Sequence, residues 1–294
     1  TTADGRATVA KGFNLCAVPR DAADVDLVRQ WFEAPWGSLA MGDFPYASTY
    51  LMHGKSLLPP WPMRAACQPL GGVLPTDVEL FAGASQAGAV FHNASGNAGV
   101  CWNITGQPST RGGALARLQP RFHPARRPTM RSPVAASALF ADDGARDATE
   151  DTAGPAACKG DWGYQWCTEM VQPFTQGVEG SDMFWPYAPY NYTASARSCV
   201  STWGVTPREQ WARIGLGGKR IADASNIIFS NGAYDPWSPG GVHTKLNPSL
   251  HPIIIPSGAH HIDLMFSDPA DPPDVTNVRQ TELKIIKGWL GDSE

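Results

Sequence analysis

Two short apolar runs near the C-terminus constrain this chain more than any other feature. Ala224-Ser225-Asn226-Ile227-Ile228-Phe229-Ser230 leads into Asn231-Gly232, and His251-Pro252-Ile253-Ile254-Ile255-Pro256 leads into Ser257-Gly258. Apolar runs of this length, bounded by turn residues, read as buried strands. Val275, Val278, Ile285, Ile286, Trp289 and Leu290 then line one face of a closing helix. Strand, crossover, strand and helix is a fragment of an α/β sheet. In open sheets of this class the working residues sit in loops beyond the carboxyl ends of the strands. Those loops carry Asp235 after the first run and His260-His261 after the second.

An acid after one strand and a histidine after the next is the second half of the chain order Ser, Asp, His. In that chemistry histidine takes the proton from the nucleophile, while the carboxylate fixes the imidazole tautomer and stabilises its cation. Blander readings stand beside it. Asp235, close to Gly and Pro, also suits an Asx turn. His260 and His261 as metal ligands fit poorly, because adjacent side chains on an extended loop diverge and no third ligand is spaced nearby. His243 and His251 read as surface or strand-end residues, and Asp263 as a cap of the next turn.

Upstream the pattern changes. From Asp21, Val25, Val28, Trp31 and Phe32 recur at helical spacing, with Asp21 or Asp24 able to cap the start. Thr76 and Glu79 have capping-box spacing, and Leu80, Phe81, Ala84, Ala87 and Phe91 continue one face. These stripes read as core packing. Residues 106–160 carry Arg111, Arg117, Arg121, Arg126, Arg127 and Arg131 among Pro and Ala, then Asp142, Asp143, Asp147, Glu150 and Asp151. A basic half followed by an acidic half, with little periodicity, reads as a solvated or disordered insert. The expected organisation is therefore a mainly helical region over 1–105, the insert over 106–160, and an α/β segment over 161–294.

Composition excludes several classes. The chain of 294 residues has 43% apolar and 10% aromatic residues, enough for a sizeable core, with 30 Gly and 26 Pro. Neither a coiled coil nor a chain disordered throughout has that mixture. The longest purely aliphatic run is Ile253–Ile255, too short for a membrane-spanning helix. A net charge of −4 gives no overall basic field, so neither nucleic acid nor an acidic membrane is an expected partner. Nothing in the chain suggests a cofactor or a metal.

Six cysteines (Cys16, Cys67, Cys101, Cys158, Cys167 and Cys199) show no C-x-x-C spacing, and their pairing cannot be chosen from spacing alone. Sequons at Asn93, Asn103 and Asn191, together with the cysteines, favour the secretory pathway, where disulfides persist. The opening Thr1-Thr2-Ala3-Asp4 has no initiator Met and no signal peptide, so residues are expected upstream.

The stretch Ser230-Asn231-Gly232-Ala233-Tyr234-Asp235-Pro236-Trp237, then Gly240-Gly241, then Gly258-Ala259-His260-His261-Ile262-Asp263-Leu264, resembles the lysosomal Pro-X carboxypeptidase and dipeptidyl peptidase II family of serine peptidases. Leu39-Ala40-Met41-Gly42-Asp43-Phe44-Pro45-Tyr46-Ala47, Trp61-Pro62, Tyr164-Gln165-Trp166-Cys167-Thr168-Glu169, Trp203-Gly204-Val205 and Pro207 look like segments of the same family. The resemblance implies an α/β-hydrolase sheet, here its C-terminal part, preceded by a mainly helical cap. It implies that Asp235 is the triad acid, His260 the base and Trp237 a wall of the pocket that holds proline, since a flat aromatic face suits a rigid pyrrolidine ring. It also suggests that Cys16 pairs with Cys101 and Cys167 with Cys199, and that Cys67 pairs with a cysteine upstream. Cys158 stays unassigned.

One departure matters. Such enzymes present the nucleophile in a Gly-x-Ser-x-Gly elbow, and the sequence contains none. Gly83-Ala84-Ser85-Gln86-Ala87-Gly88 lacks Gly at the needed place and falls within an expected helix, so Ser85 is a decoy. The chain is thus expected to be the C-terminal part of a lysosomal, vacuolar or secreted serine exopeptidase acting on peptides with proline near one end. By itself it is expected to be inactive and to need the missing N-terminal half as partner; a homodimer is a further expected assembly. Glu169 and Asp182 are candidates for holding a substrate amino group, a need of dipeptidyl peptidases but not of carboxypeptidases. Thr175 stands where the carboxypeptidase branch often has cysteine, which leaves the branch open. The alternatives are a catalytically inactive binding protein derived from the family, or an α/β-hydrolase esterase.

Overall fold

The computed structural model describes residues 1–52, 56–96, 99–106, 162–172, 190–218 and 220–291. The chain divides into two compact units, one formed by Thr1–Arg127 with Asp223–Glu294 and the other by Pro128–Ala222. Apart from Gly106, the expected insert lies outside the described residues, as do Cys158, Thr175 and Asp182.

The first unit begins with five helices: α1 (Ala3–Gly12), α2 (Ala22–Glu33), α3 (Pro35–Met41), α4 (Pro62–Cys67) and α5 (Asp77–His92). Their starts follow local chemistry. Thr2 accepts a hydrogen bond from the Gly5 amide and opens α1. Asp21 accepts from the Asp24 amide and opens α2. Asp24, the other candidate cap, instead takes a two-pronged hydrogen bond from Arg20 at 2.8 Å on each oxygen. Thr76 and Glu79 form a full capping box at the head of α5, satisfying two amides that a helix start otherwise leaves bare.

Packing of these helices follows the apolar stripes. Phe13, Leu15, Val28, Trp31 and Ala84 form one cluster, while Leu39, Leu58, Ala66 and Ala87 form a second. Leu80, placed on the inward stripe of α5 by spacing, is exposed. The small residues Gly83, Ala84, Ser85, Ala87 and Gly88 are the buried ones, which lets neighbouring helices approach α5 closely.

The C-terminal part of this unit holds β1 (Ile227–Gly232) and β2 (Leu250–Ile255), joined in parallel with Ile227 opposite Leu250 and Gly232 opposite Ile255. Parallel strands need a long crossover, supplied by residues 233–249 with a single 3₁₀ turn at Ser238–Gly240. The closing helix α9 (Pro273–Leu290) starts with Pro272-Pro273, where a missing amide costs nothing. Its Val275 is fully buried with Phe44, Ile255, Ala259 and Ile262. The loop that follows α3 thereby shares a core with the sheet. Farther along α9, Ile286 and Leu290 are exposed while Ile285 and Trp289 are half-buried, so the second half of the expected stripe is only partly covered within the described residues.

The second unit contains α6 (Trp162–Thr168), α7 (Tyr192–Trp203) and α8 (Trp211–Gly215). A Cys167–Cys199 disulfide joins α6 to α7. Asn191 caps α7 by accepting from the Ala194 amide, and Gly204, left-handed at φ 68°, ends it. No helix of the described residues is long and apolar enough to cross a membrane.

His92, in the last turn of α5, gives this fold a pH dependence. It stacks on Trp31 with ring centroids 4.3 Å apart, and its Nε2 meets the Trp31 carbonyl oxygen at 2.8 Å. Burial pushes its pKa down from 6.5 to about 4. Above pH 6.5 the ring is neutral in both folded and unfolded chains and contributes nothing to the slope. Between 6.5 and 4 the unfolded chain binds a proton that the native state refuses, so stability falls on acidification. Between pH 7 and pH 5 the loss is about 2 kcal/mol. His92→Gln retains a donor for the Trp31 carbonyl but cannot titrate. Urea unfolding at the two pH values should therefore show a smaller acid penalty in the variant, by about that amount.

Candidate active site

The ends of β1 and β2 come together through glycine. Beyond the ladder, the Ala233 amide donates to the Ile255 carbonyl and the Tyr234 amide to the Gly258 carbonyl, both at 2.9 Å. A Cβ on Gly232 would lie 2.4 Å from the Gly258 oxygen and 2.7 Å from the Ala259 oxygen, so no larger residue fits this crossing. Asn231 is buried and donates through Nδ2 to the carbonyls of Phe229 and Val242, which folds the crossover back onto the strand end. A Cβ on Gly241 would collide with the Asn231 side-chain oxygen at 1.8 Å.

From this base the chain turns sharply, and Asp235 has a separate task for each oxygen. Oδ1 accepts from the Trp237 amide at 2.9 Å, the Asx turn. Oδ2 meets His260 Nδ1 at 2.7 Å. The turn thus aims the second oxygen at the imidazole. Both side chains are largely buried, at 10% and 16% exposure respectively. A carboxylate only accepts, so Nδ1 carries the hydrogen and the Nε2 lone pair is left to take a proton.

His260 is fixed by its backbone as well. Its amide donates to the Met41 carbonyl at 3.1 Å, at the last residue of α3. The Met41 thioether accepts from Trp237 Nε1–H at 2.9 Å, so one residue holds both the histidine and the neighbouring indole. Around the imidazole lie Trp237 and Tyr50, each with its centroid 6.3 Å away, and His261 at 3.7 Å. Burial, with a further contribution from the Asp235 charge, raises the Tyr50 hydroxyl pKa. Burial, then the neighbouring His260, lowers that of His261, which adopts a left-handed backbone at φ 57°.

The floor of the histidine loop is polar. Asp263 is buried, and its Oδ2 accepts from the Ser230 hydroxyl of β1 at 2.8 Å. On α9, burial together with the Asp263 charge pushes Glu282 up to about 7, against an opposing pull from Arg279. Ser257 donates through its amide and hydroxyl to Asp274, tying the start of this loop to the first turn of α9.

Asp235, Trp237 and His260 are therefore brought together in one unit. The paired cysteines of that unit, Cys16 and Cys101, are joined as a disulfide, while Cys67 is free and exposed. Asn93 follows α5, and Asn103 and Asn191 are exposed. Ser85 lies buried inside α5, donating to the Phe13 carbonyl and accepting from Trp102 Nε1–H. Glu169, just past α6, belongs to the second unit. His243 Nε2 meets the Ser238 carbonyl at 2.6 Å, and His251 lies near the Trp289 ring. Among the described residues no group of three or more His, Cys, Asp or Glu is placed to hold a metal ion. Met41 lay within a stretch quoted for the family resemblance but had no role there, and Tyr50 carried no signal, because each reaches the site through tertiary contacts alone. Gly232 was recognisable only as a turn residue.

An imidazole hydrogen-bonded to a carboxylate on one nitrogen, with the other available, is equipped for general-base catalysis. Comparison with known proteins gives the family. The sequence profile described as serine carboxypeptidase S28 matches residues 88–282. The lysosomal Pro-X carboxypeptidase of Bos taurus is 32% identical over 285 residues, covering 97% of this chain and 46% of the relative. Its Homo sapiens counterpart is 32% identical over 292 residues, covering 99% and 48%. Prolyl carboxy peptidase like protein 5 of Caenorhabditis elegans is 28% identical over 275 residues, covering 91% and 45%. These matches define the class as serine-type peptidases. The chain belongs to the serine carboxypeptidase S28 family, and it spans about half the length of the curated relatives it matches.

The glycine crossing is directly testable. Gly232→Ala forces the two loops apart and should cost about 1–3 kcal/mol, the usual penalty for overpacking. Gly240→Ala, with nothing within 4 Å of its added Cβ, should stay within about 0.5 kcal/mol of the parent. Denaturant unfolding of the two variants makes the comparison, and equal effects would refute the close-approach account.

Proposed function

We propose that the protein to which this chain belongs is a serine-type exopeptidase cleaving peptide bonds next to proline, with Asp235 as the triad acid and His260 as the base. The observation that carries this reading is the 2.7 Å bond between His260 Nδ1 and Asp235 Oδ2 at the carboxyl ends of adjacent parallel strands. The names of the 32%-identical relatives support the preference for proline. The sheet is then the C-terminal part of an α/β-hydrolase domain within 161–294, with 1–105 contributing to a helical cap and 106–160 an insert.

In this reading the nucleophilic serine lies outside these 294 residues, in a preceding part of the same protein. No Gly-x-Ser-x-Gly occurs here, and Ser85 is packed in a helix with its hydroxyl already engaged. As the serine oxygen attacks the carbonyl carbon, its proton passes to His260 Nε2, and the imidazolium is stabilised by Asp235 across Nδ1. That proton then goes to the departing amine. Water then attacks the acyl-enzyme carbonyl, giving its proton to Nε2; the serine oxygen leaves as the C–O bond breaks, takes that proton back, and the new carboxyl product is released. Oxyanion-hole amides belong mostly to the missing elbow. Trp237, held by Met41, is the flat wall against which a pyrrolidine ring packs.

The partners in this proposal are peptides with proline near one end, the remainder of the same polypeptide, and a second copy in a homodimer. A lysosomal, vacuolar or secreted location is supported by the relatives' names, the two disulfides and the three sequons.

A fluorophosphonate probe applied to the 294-residue chain and to the full-length protein tests the assignment. The full-length protein should label and the 294-residue chain should not; labelling of the short chain would place the nucleophile within it and overturn this reading. In the full-length protein, His260→Ala and Asp235→Ala should each lower kcat by about 10⁴-fold or more on a prolyl peptide. Trp237→Ala should raise KM for that peptide more than for a short ester.

A further inference from the structure

We propose that Arg279 is a positioning residue for the base, clamping the loop that carries His260 through a guanidinium shared between two backbone carbonyls and a buried carboxylate. The inference rests on the reading of His260 as the base.

The His260 loop has little regular structure of its own. His261 is a left-handed non-glycine residue, a conformation that persists only when its surroundings enforce it. A single 3₁₀ turn, Ile262–Leu264, follows. Arg279 reaches it from the second turn of α9: Nε donates to the Asp263 carbonyl at 3.0 Å and Nη2 to the Ile262 carbonyl at 2.7 Å. Nη1 pairs with Asp271, whose side chain is 3% exposed and also accepts from the Asp268 amide at 2.8 Å. The Asp263 side chain is meanwhile bonded to Ser230 of β1, the strand that leads to Asp235. The histidine loop is thus tied to α9 through its carbonyls and to the acid's strand through a side chain. The planar fork of arginine fits two carbonyls and a carboxylate together, whereas the point charge of lysine cannot span them.

Without the clamp the left-handed turn at His261 can relax, and the imidazole one residue earlier moves with it. Misplacement of a reacting group by about 1 Å costs roughly 100-fold in rate. An arginine that merely stapled the fold would lower stability and leave turnover per folded molecule unchanged.

The test uses the full-length enzyme and a prolyl peptide. Arg279→Lys keeps a charge for Asp271 but loses the fork, and kcat should fall about 10- to 100-fold with KM within about twofold. The low-field proton resonance of the His260 Nδ1–H shared with Asp235 should shift or broaden. Because a stranded Asp271 charge can prevent folding, the paired change Arg279→Met with Asp271→Asn removes both charges together and should show the same kcat loss in folded protein. Wild-type kcat and an unmoved resonance in either folded variant would overturn the proposal. His260→Ala is measured alongside: if it is inactive while the Arg279 variants are normal, only the clamp fails, and if it remains active the assignment of the base fails first.

Discussion

Everything at this site depends on two parallel strand ends approaching to backbone contact. Gly232 and Gly258 leave no room for a side chain between them, and the amides of Ala233 and Tyr234 cross that gap to the carbonyls of the other strand. Once the crossing is made, the separation of Asp235 and His260 is set by the backbone rather than by long flexible side chains. Two parallel strands would be marginal alone. Here they are supported by α9 below and by Phe44 after α3, which shares a fully buried cluster with Ile255, Ile262 and Val275. A helix formed near the N-terminus therefore sets part of the geometry of a loop more than two hundred residues later.

Met41 shows the consequence. Its carbonyl fixes the His260 backbone and its sulfur fixes the Trp237 ring. One residue thus couples the proton-transfer group to the proposed wall of the specificity pocket. Sulfur is a weak acceptor, but the contact is packed in a largely buried setting where a misplaced indole N–H would go unpaired. The Trp237 ring and the His260 backbone are in this way held by the same helix end.

The sequence was most informative where chemistry is local. The capping box at Thr76, the Asp21 cap and the strand runs ending at Gly232 and Ile255 follow from residue type over a few positions. Asp235 had two candidate roles, an Asx turn or an orienting acid. The turn takes one oxygen and the His260 contact the other, so the two readings are compatible in one geometry. Tertiary packing set what the sequence left out. Helical spacing placed Leu80 inward, yet the small residues of α5 are the buried ones, because tight helix crossings select for lack of bulk. Asp263 read as a turn cap, and it is instead a buried acceptor for Ser230. Arg279 was not singled out, since two of its partners are backbone carbonyls that no residue pattern reveals.

Division of a triad along the chain follows from the architecture of parallel sheets. Each strand can place one functional residue at its carboxyl end, so acid and base on consecutive strands share one compact unit while a nucleophile comes from elsewhere in the sheet. The hydrogen bond between Asp235 and His260, the Asx turn and the Met41 contacts are all made within residues 39–264. The imidazole of His260 is therefore oriented by contacts within this chain. That arrangement has a physical advantage, because the imidazole reaches its tautomer and orientation through protein dipoles already in place and needs no rearrangement at the moment of proton transfer. In the function proposed above, the preceding part of the protein then adds a serine aimed at one nitrogen atom, a far smaller geometric demand than assembling three groups at once.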